Sequence, residues 1–146
     1  MDYLIDSTKA IYDIIDGEIV IIHLESGNYY HLEGSGALAW KLLAREAPTS
    51  QMESYFSAHY SLRPEEAAKQ LSAFLGRLVE ENLVIQQPAG KPPVELADPT
   101  DNAEQSYAPP TIDVFTDMQD FLLVDPIHEV DEHGLPKYTP PVIDDL

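Results

Sequence analysis

The residue types with metal or acid–base chemistry to offer crowd into one stretch, His128-Glu129-Val130-Asp131-Glu132-His133. Imidazoles and carboxylates together suit a divalent cation. Here the two imidazoles are five residues apart, a spacing that suits neither face of a helix, and the run reads as a solvated charged turn. His23, His31 and His59 stand singly in the sequence, without the nucleophile–base pairing that covalent catalysis needs. The chain has no cysteine, which removes disulfides, thiolate zinc sites and thiol nucleophiles and suits a reducing cytosol. No glycine-rich phosphate loop occurs. The expectation is a protein that is not an enzyme and uses no metal and no cofactor.

Charge narrows the partners. The 146 residues carry 8 basic and 26 acidic side chains, a net charge of −18. A phosphate backbone needs a Lys/Arg surface, so nucleic acid is not expected, and an anionic membrane surface is disfavoured for the same reason. The N-terminal MDYLIDSTK lacks the basic-then-apolar order of a secretory signal, and no apolar run approaches the ~20 residues of a membrane helix. The expected location is cytoplasmic.

One short unit is written twice. Tyr107–Asp113 reads YAPPTID and Tyr138–Asp144 reads YTPPVID, identical at five of seven positions. Paired prolines favour an extended backbone before any binding, which lowers the cost of ordering it. Tyr and Ile offer apolar anchors. Both copies fall in the second part of the chain, where ten of the twelve prolines lie and where 13 acids face only Lys91 and Lys137. The composition divides the chain into a folded domain at 1–87, a Pro-rich acidic linker at 88–106 and a tail at 107–146. After the first unit, Ile112, Phe115, Met118, Phe121 and Leu122 recur at three- and four-residue spacing, which predicts a short amphipathic helix in an otherwise extended tail.

The elements that must position any site lie before Pro88. KAIYDII and EIVIIHL are β-rich runs joined by Asp16-Gly17, a pair suited to a type I′ hairpin turn. Glu25-Ser26-Gly27 makes a second tight turn into a third strand, Asn28–Leu32. Three helices are predicted next. The first runs around Trp40 with Ser35 as its cap, and the second opens on a Ser50–Glu53 capping box. The third begins at Pro64-Glu65-Glu66, buries Leu71, Phe74, Leu75 and Leu78, and ends at Asn82. Leu83-Val84-Ile85 is a short extended piece. The class is α+β, a three-stranded antiparallel meander followed by three helices, in the order βββααα.

The pattern DGEIVIIHLESGNYYHLEGSGALAWKLL, followed by a helix pair ending FLGRLVEENLVI, resembles the PqqD-like family of RiPP recognition elements, over about Lys9 to Ile85. The resemblance implies a winged-helix-like fold. It also implies a function: holding the leader segment of a ribosomally made precursor peptide, as an added strand, for a separate modifying enzyme. The groove carried over is the third strand, Asn28, Tyr29, Tyr30, His31 and Leu32, with Gln70, Ala73 and Arg77 on the third helix.

Leaders bound by such domains, notably those of lasso peptides, resemble Tyr-x-x-Pro-x-Leu. Tyr107, Pro110 and Ile112 fit this pattern, as do Tyr138, Pro141 and Ile143, with Phe115 as a further anchor after the first copy. The lasso pattern continues with a Gly where this chain has Thr116 and Leu146, and the likeness stops there. The tail is thus expected to dock in its own groove, to dock in another copy by self-association, or to be a fused substrate. Two other readings compete: a winged-helix transcription regulator, and a structural subunit that clamps a partner enzyme with its tail.

Overall fold

The computed structural model describes residues 1–97, 108–115, Pro141 and Ile143. Six strands and three helices are formed within them: β1 (Asp2–Ile5), β2 (Ala10–Ile15), β3 (Glu18–His23), β4 (Tyr29–Leu32), α1 (Gly34–Ala44), α2 (Thr49–Tyr60), α3 (Pro64–Glu80), β5 (Val84–Gln87) and β6 (Asp113–Phe115). The strands make two antiparallel sheets, β2-β3-β4-β6 and β1-β5.

The meander forms where its turns dictate. Asp16 and Gly17 both take positive φ, 53° and 81°, which closes a two-residue loop between Ile15 and Glu18. At the second turn Gly27 has φ 75°. The buried His23 ring stiffens this turn, its Nδ1 accepting the backbone N–H groups of Glu25 and Ser26 at 3.2 Å each. Along β3 burial alternates, with Ile19, Ile21 and His23 inward, and β4 continues the pattern with Tyr30 and Leu32. This period of two sets one face of the sheet against the helices.

The third helix is as its sequence demands. Pro64 opens it, Glu65 and Glu66 sit in its first turn, and Leu71, Phe74, Leu75 and Leu78 are buried. Asn82 follows its C-cap with φ 60°. Together with Trp40, Leu42, Leu43, Met52 and Phe56, these side chains form one core with the inner face of the sheet. Among the described residues no helix is long and apolar enough to cross a membrane.

The α+β class, the antiparallel strands and the three helices follow the sequence reading. Several details depart from it. The N-terminal residues form β1, and Val84–Gln87 is its partner rather than an isolated extended piece, so the strands divide into two sheets. Ser50 does not cap the second helix: α2 starts at Thr49, and the carboxylate of Asp2 takes the cap's place, accepting the Thr49 N–H at 3.0 Å. A carboxylate brought from β1 satisfies an orphan N–H at the positive end of the helix, as a local cap would.

In the tail, Asp113–Phe115 is strand where the spacing predicts the start of a helix. A short helix alone in water is marginal, and an open sheet edge offers its backbone an alternative. The rest of that predicted helix, and the His128–His133 cluster, lie outside the described residues.

Candidate functional site

A meander leaves its last strand with one unpaired side. Here that side of β4 is filled by a strand from far along the chain. β6 runs antiparallel to β4 with Tyr29 opposite Phe115, Tyr30 opposite Val114 and His31 opposite Asp113. The alternation of side chains gives this pairing two faces. Inward, Val114 lies beside Tyr30, and both Val114 and Ile112 pack on the core. Outward, the Tyr29 and Phe115 rings are tilted against each other at 5.4 Å between centroids. Asp113 Oδ2 stands 3.9 Å from His31 Nδ1 on the same face. Cross-strand pairs of this kind add a few tenths to about 1 kcal/mol each to what the backbone ladder provides.

Upstream of β6 the tail passes the head of α1. Gly34, with φ +56°, turns the chain from β4 into the helix. Ser35 and Gly36 follow, small enough for another backbone to approach closely. The Ser35 hydroxyl donates to the Ala108 carbonyl at 2.7 Å. A Cβ on Gly36 would stand 2.8 Å from the Thr111 carbonyl oxygen and 3.7 Å from the Phe74 ring. Pro110 is buried between these contacts in sequence. The groove therefore has three walls: the β4 edge, the α1 N-terminus and the Phe74 ring. Ser35, expected as a helix cap, faces the tail instead, and the N-cap position belongs to Glu33.

The residues carried over from the resemblance are placed unequally. Tyr29 and His31 face outward beside β6, while Tyr30 and Leu32 are core side chains; Tyr30 stands opposite Val114, and Leu32 is paired with Ile19 of β3. Asn28 and Tyr30 belong to a network behind the strand. Asn28 Nδ2 donates to the Tyr30 phenol at 3.4 Å, the phenol donates to Glu81 Oε1 at 3.0 Å, and Glu81 also accepts from Arg77 Nε at 3.1 Å. Burial, with the Glu81 carboxylate adding to it, pushes the Tyr30 phenol above its ordinary pKa and keeps it a neutral donor. Gln70 donates along its helix to Glu66 at 2.7 Å, and Ala73 is exposed.

His31 Nε2 is 2.6 Å from Glu18 Oε1, and Glu33 completes a group whose donor atoms lie within 4.8 Å of one another. One imidazole and two carboxylates are a donor set for a divalent cation, although Glu33 is exposed and His31 is already engaged by Glu18.

Ile143, from the second copy, is not in this groove. Ile143 is buried, and its carbonyl accepts from Arg45 Nη1 at 3.1 Å, past the C-terminal end of α1. Nη2 of the same guanidinium holds the Glu95 carbonyl at 2.6 Å. The stretch 88–97 forms no helix or strand and is strapped to the body. Asp2 Oδ2 accepts from the N–H groups of Gly90 and Lys91, and the Gln51 amide both donates to and accepts from the Val94 backbone. Tyr107 and Tyr138 lie outside the described residues. Sequence reasoning missed Asp2, Gly36 and Arg45. Of these only Gly36 left a signal, in the run of three small residues Gly34-Ser35-Gly36 at a helix start.

Comparison with known proteins places the body of this chain. Residues 18–84, from β3 into β5, match the family model of PqqD, described as coenzyme PQQ synthesis protein D. A solved structure described as TbiB1 in complex with the TbiA(beta) leader peptide is 26% identical, with a TM-score of 0.55, over 58% of this chain and 98% of that one. A search of curated proteins gave no match. The resemblance to the PqqD-like RiPP recognition elements read from the sequence stands on these two findings.

Proposed function

We propose that this chain, whose residues 18–84 match the PqqD family, is a non-catalytic adaptor. It holds the leader segment of a ribosomally made precursor peptide by strand addition at β4, for a separate modifying enzyme. One observation carries the reading: the β4 edge accepts an extended antiparallel strand from outside the meander, at Asp113–Phe115. Backbone pairing supplies affinity with little demand on sequence, and the flanking walls supply choice. The neighbour's leader-peptide complex supports the same use of this body, with the sheet and three helices serving as a winged-helix-like platform. The net charge of −18 favours a peptide over nucleic acid as partner. A cysteine-free chain suits the cytosol, where a ribosomal product is met.

The test is titration of the ¹⁵N-labelled chain carrying Ile112→Asp, which weakens the chain's own strand at β4, with a synthetic peptide of the unaltered sequence 107–116. Shifts concentrated at Tyr29–Leu32 and Ser35-Gly36 are expected. Shifts confined to β2, at the opposite edge of the sheet, or none at millimolar peptide, would overturn the reading.

A further inference from the structure

The groove that the adaptor reading assigns to a precursor peptide already holds a piece of this chain. Its contacts are specific in kind. Three residues pair with β4, Ile112 and Val114 reach the core, Pro110 is buried, and two backbone carbonyls of the segment, those of Ala108 and Thr111, lie against Ser35 and Gly36. A second strand cannot pair with the same side of β4 while β6 is there, because each N–H and C=O on that side has one antiparallel partner. Gly36 offers no spare room either, since the Thr111 carbonyl already occupies the space beside it.

From this, and resting on the adaptor reading, we infer that residues 108–115 are a built-in stand-in for the leader, and that a precursor peptide binds by exchanging with them. The stand-in also states the chemistry of its competitor. The partner is an extended peptide that puts a proline where Pro110 sits and branched apolar side chains where Ile112 and Val114 turn inward. At the position of Phe115 it carries an aromatic or large apolar residue, to meet Tyr29. The second copy repeats the start of that order, Pro141-Val142-Ile143-Asp144. In the structure Ile143 is seated instead at Arg45, away from β4.

The tether makes the competition strong. The strap is held to the body as far as Glu95, and only ten residues separate Ala97 from Ala108. A tether of this length sets an effective concentration in the millimolar range. Against a segment of micromolar intrinsic affinity, that weakens binding of a free peptide by a factor on the order of a thousand. A precursor gains access by binding the groove more tightly than the tail does, or when a partner draws the tail away.

The experiment uses the full chain and a fluorescein-labelled synthetic peptide of the sequence 107–116. Ile112→Asp with Phe115→Pro in the chain puts a charge at an inward position and removes an N–H that β6 gives to the ladder, without touching β4. The double variant is expected to bind the peptide at least tenfold more tightly than wild type. Adding Gly36→Leu should remove that binding, because a side chain there fills the space the Thr111 carbonyl needs. A peptide carrying Ile112→Asp should bind the double variant at least tenfold more weakly than the unaltered peptide.

Hydrogen exchange on wild type gives a readout that depends on no variant. Excess peptide should expose the chain's own Asp113 and Phe115 amides, the two that face β4, while Tyr29–His31 stay protected. Equal affinity of wild type and the double variant, or unchanged protection of β6 at saturating peptide, overturns the stand-in and leaves the adaptor reading intact. No binding to either protein overturns both.

Discussion

Helix α1 has chain from beyond Gln87 at both ends, held in opposite ways. At its N-terminus the tail is seated by backbone: three strand pairs on β4, a serine hydroxyl on one carbonyl, and a glycine that permits contact with another. At its C-terminus, and along the strap that leads there, the seating is by side chains of the body. Asp2 takes two N–H groups, Gln51 both bonds of Val94, and Arg45 the carbonyls of Glu95 and Ile143. The first arrangement suits any extended peptide of the right shape. The second recognises only the backbone that its few polar groups were placed to meet. A site meant for exchange and a site meant for permanent closure would differ in this way, since ladder pairing can be taken over strand for strand, while a buried carboxylate left without its partners is costly.

The contrast predicts where single side chains matter. The largest effect is expected at Asp2, which is 3% exposed and serves Thr49, Gly90 and Lys91 at once. Asp2→Ala leaves three N–H groups short of a partner and should cost about 2–4 kcal/mol, read as a fall in Tm of roughly 10 °C. This contribution should also depend on pH. The Thr49 N–H above all, then those of Lys91 and Gly90, hold the Asp2 carboxyl below its ordinary 3.8, against the opposing effect of burial. The stability is therefore fully present above 3.8 and lost as pH falls through the lower folded value. Urea melts of wild type and Asp2→Asn should converge at the acid end of the range. A constant gap down to that pH would show that the carboxylate is not the hook.

A smaller effect belongs to Arg45. Arg45→Met removes the donors to two carbonyls while keeping the apolar stem, and should cost about 1–2 kcal/mol. Limited proteolysis should then cut near Glu95 sooner, with β6 still protected in hydrogen exchange. Simultaneous loss of β6 protection would show that the two ends of α1 are coupled rather than independent.

The smallest effect is expected at the first copy's one charged contact. Asp113 is 62% exposed in its side chain and stands 3.9 Å from His31, so Asp113→Asn should weaken docking of this strand by less than about 0.5 kcal/mol. Competition by the 107–116 peptide, unaltered and with this change, measures it. A tenfold loss would mean that side-chain charge rather than backbone pairing dominates the groove.

How much of this was legible beforehand differs by element. The hairpin at Asp16-Gly17, the turn at Gly27 and the whole of α3 were readable because each depends on neighbours within a few residues. So was the likeness of Tyr107–Ile112 and Tyr138–Ile143 to a leader, since it is a matter of order along the chain. The Ser50 capping box was legible and not used, because the carboxylate of Asp2, 47 residues before Thr49, reached the Thr49 N–H instead. The helical spacing of Ile112 and Phe115 was likewise real and overridden, because the open edge of β4 offered Asp113–Phe115 a ladder that an isolated short helix could not match.

The sequence by itself determined that a small α+β body would carry a strand ending a meander, and that an acidic, proline-rich continuation would carry one short unit twice. Period, turn chemistry and composition are local quantities, and they suffice for that. The tertiary structure decided which surface each unit meets. The first copy met the β4 edge because Gly34-Ser35-Gly36 leaves a backbone-wide gap beside it. Ile143 of the second met Arg45, a side chain 98 residues away that also holds the Glu95 carbonyl of the strap.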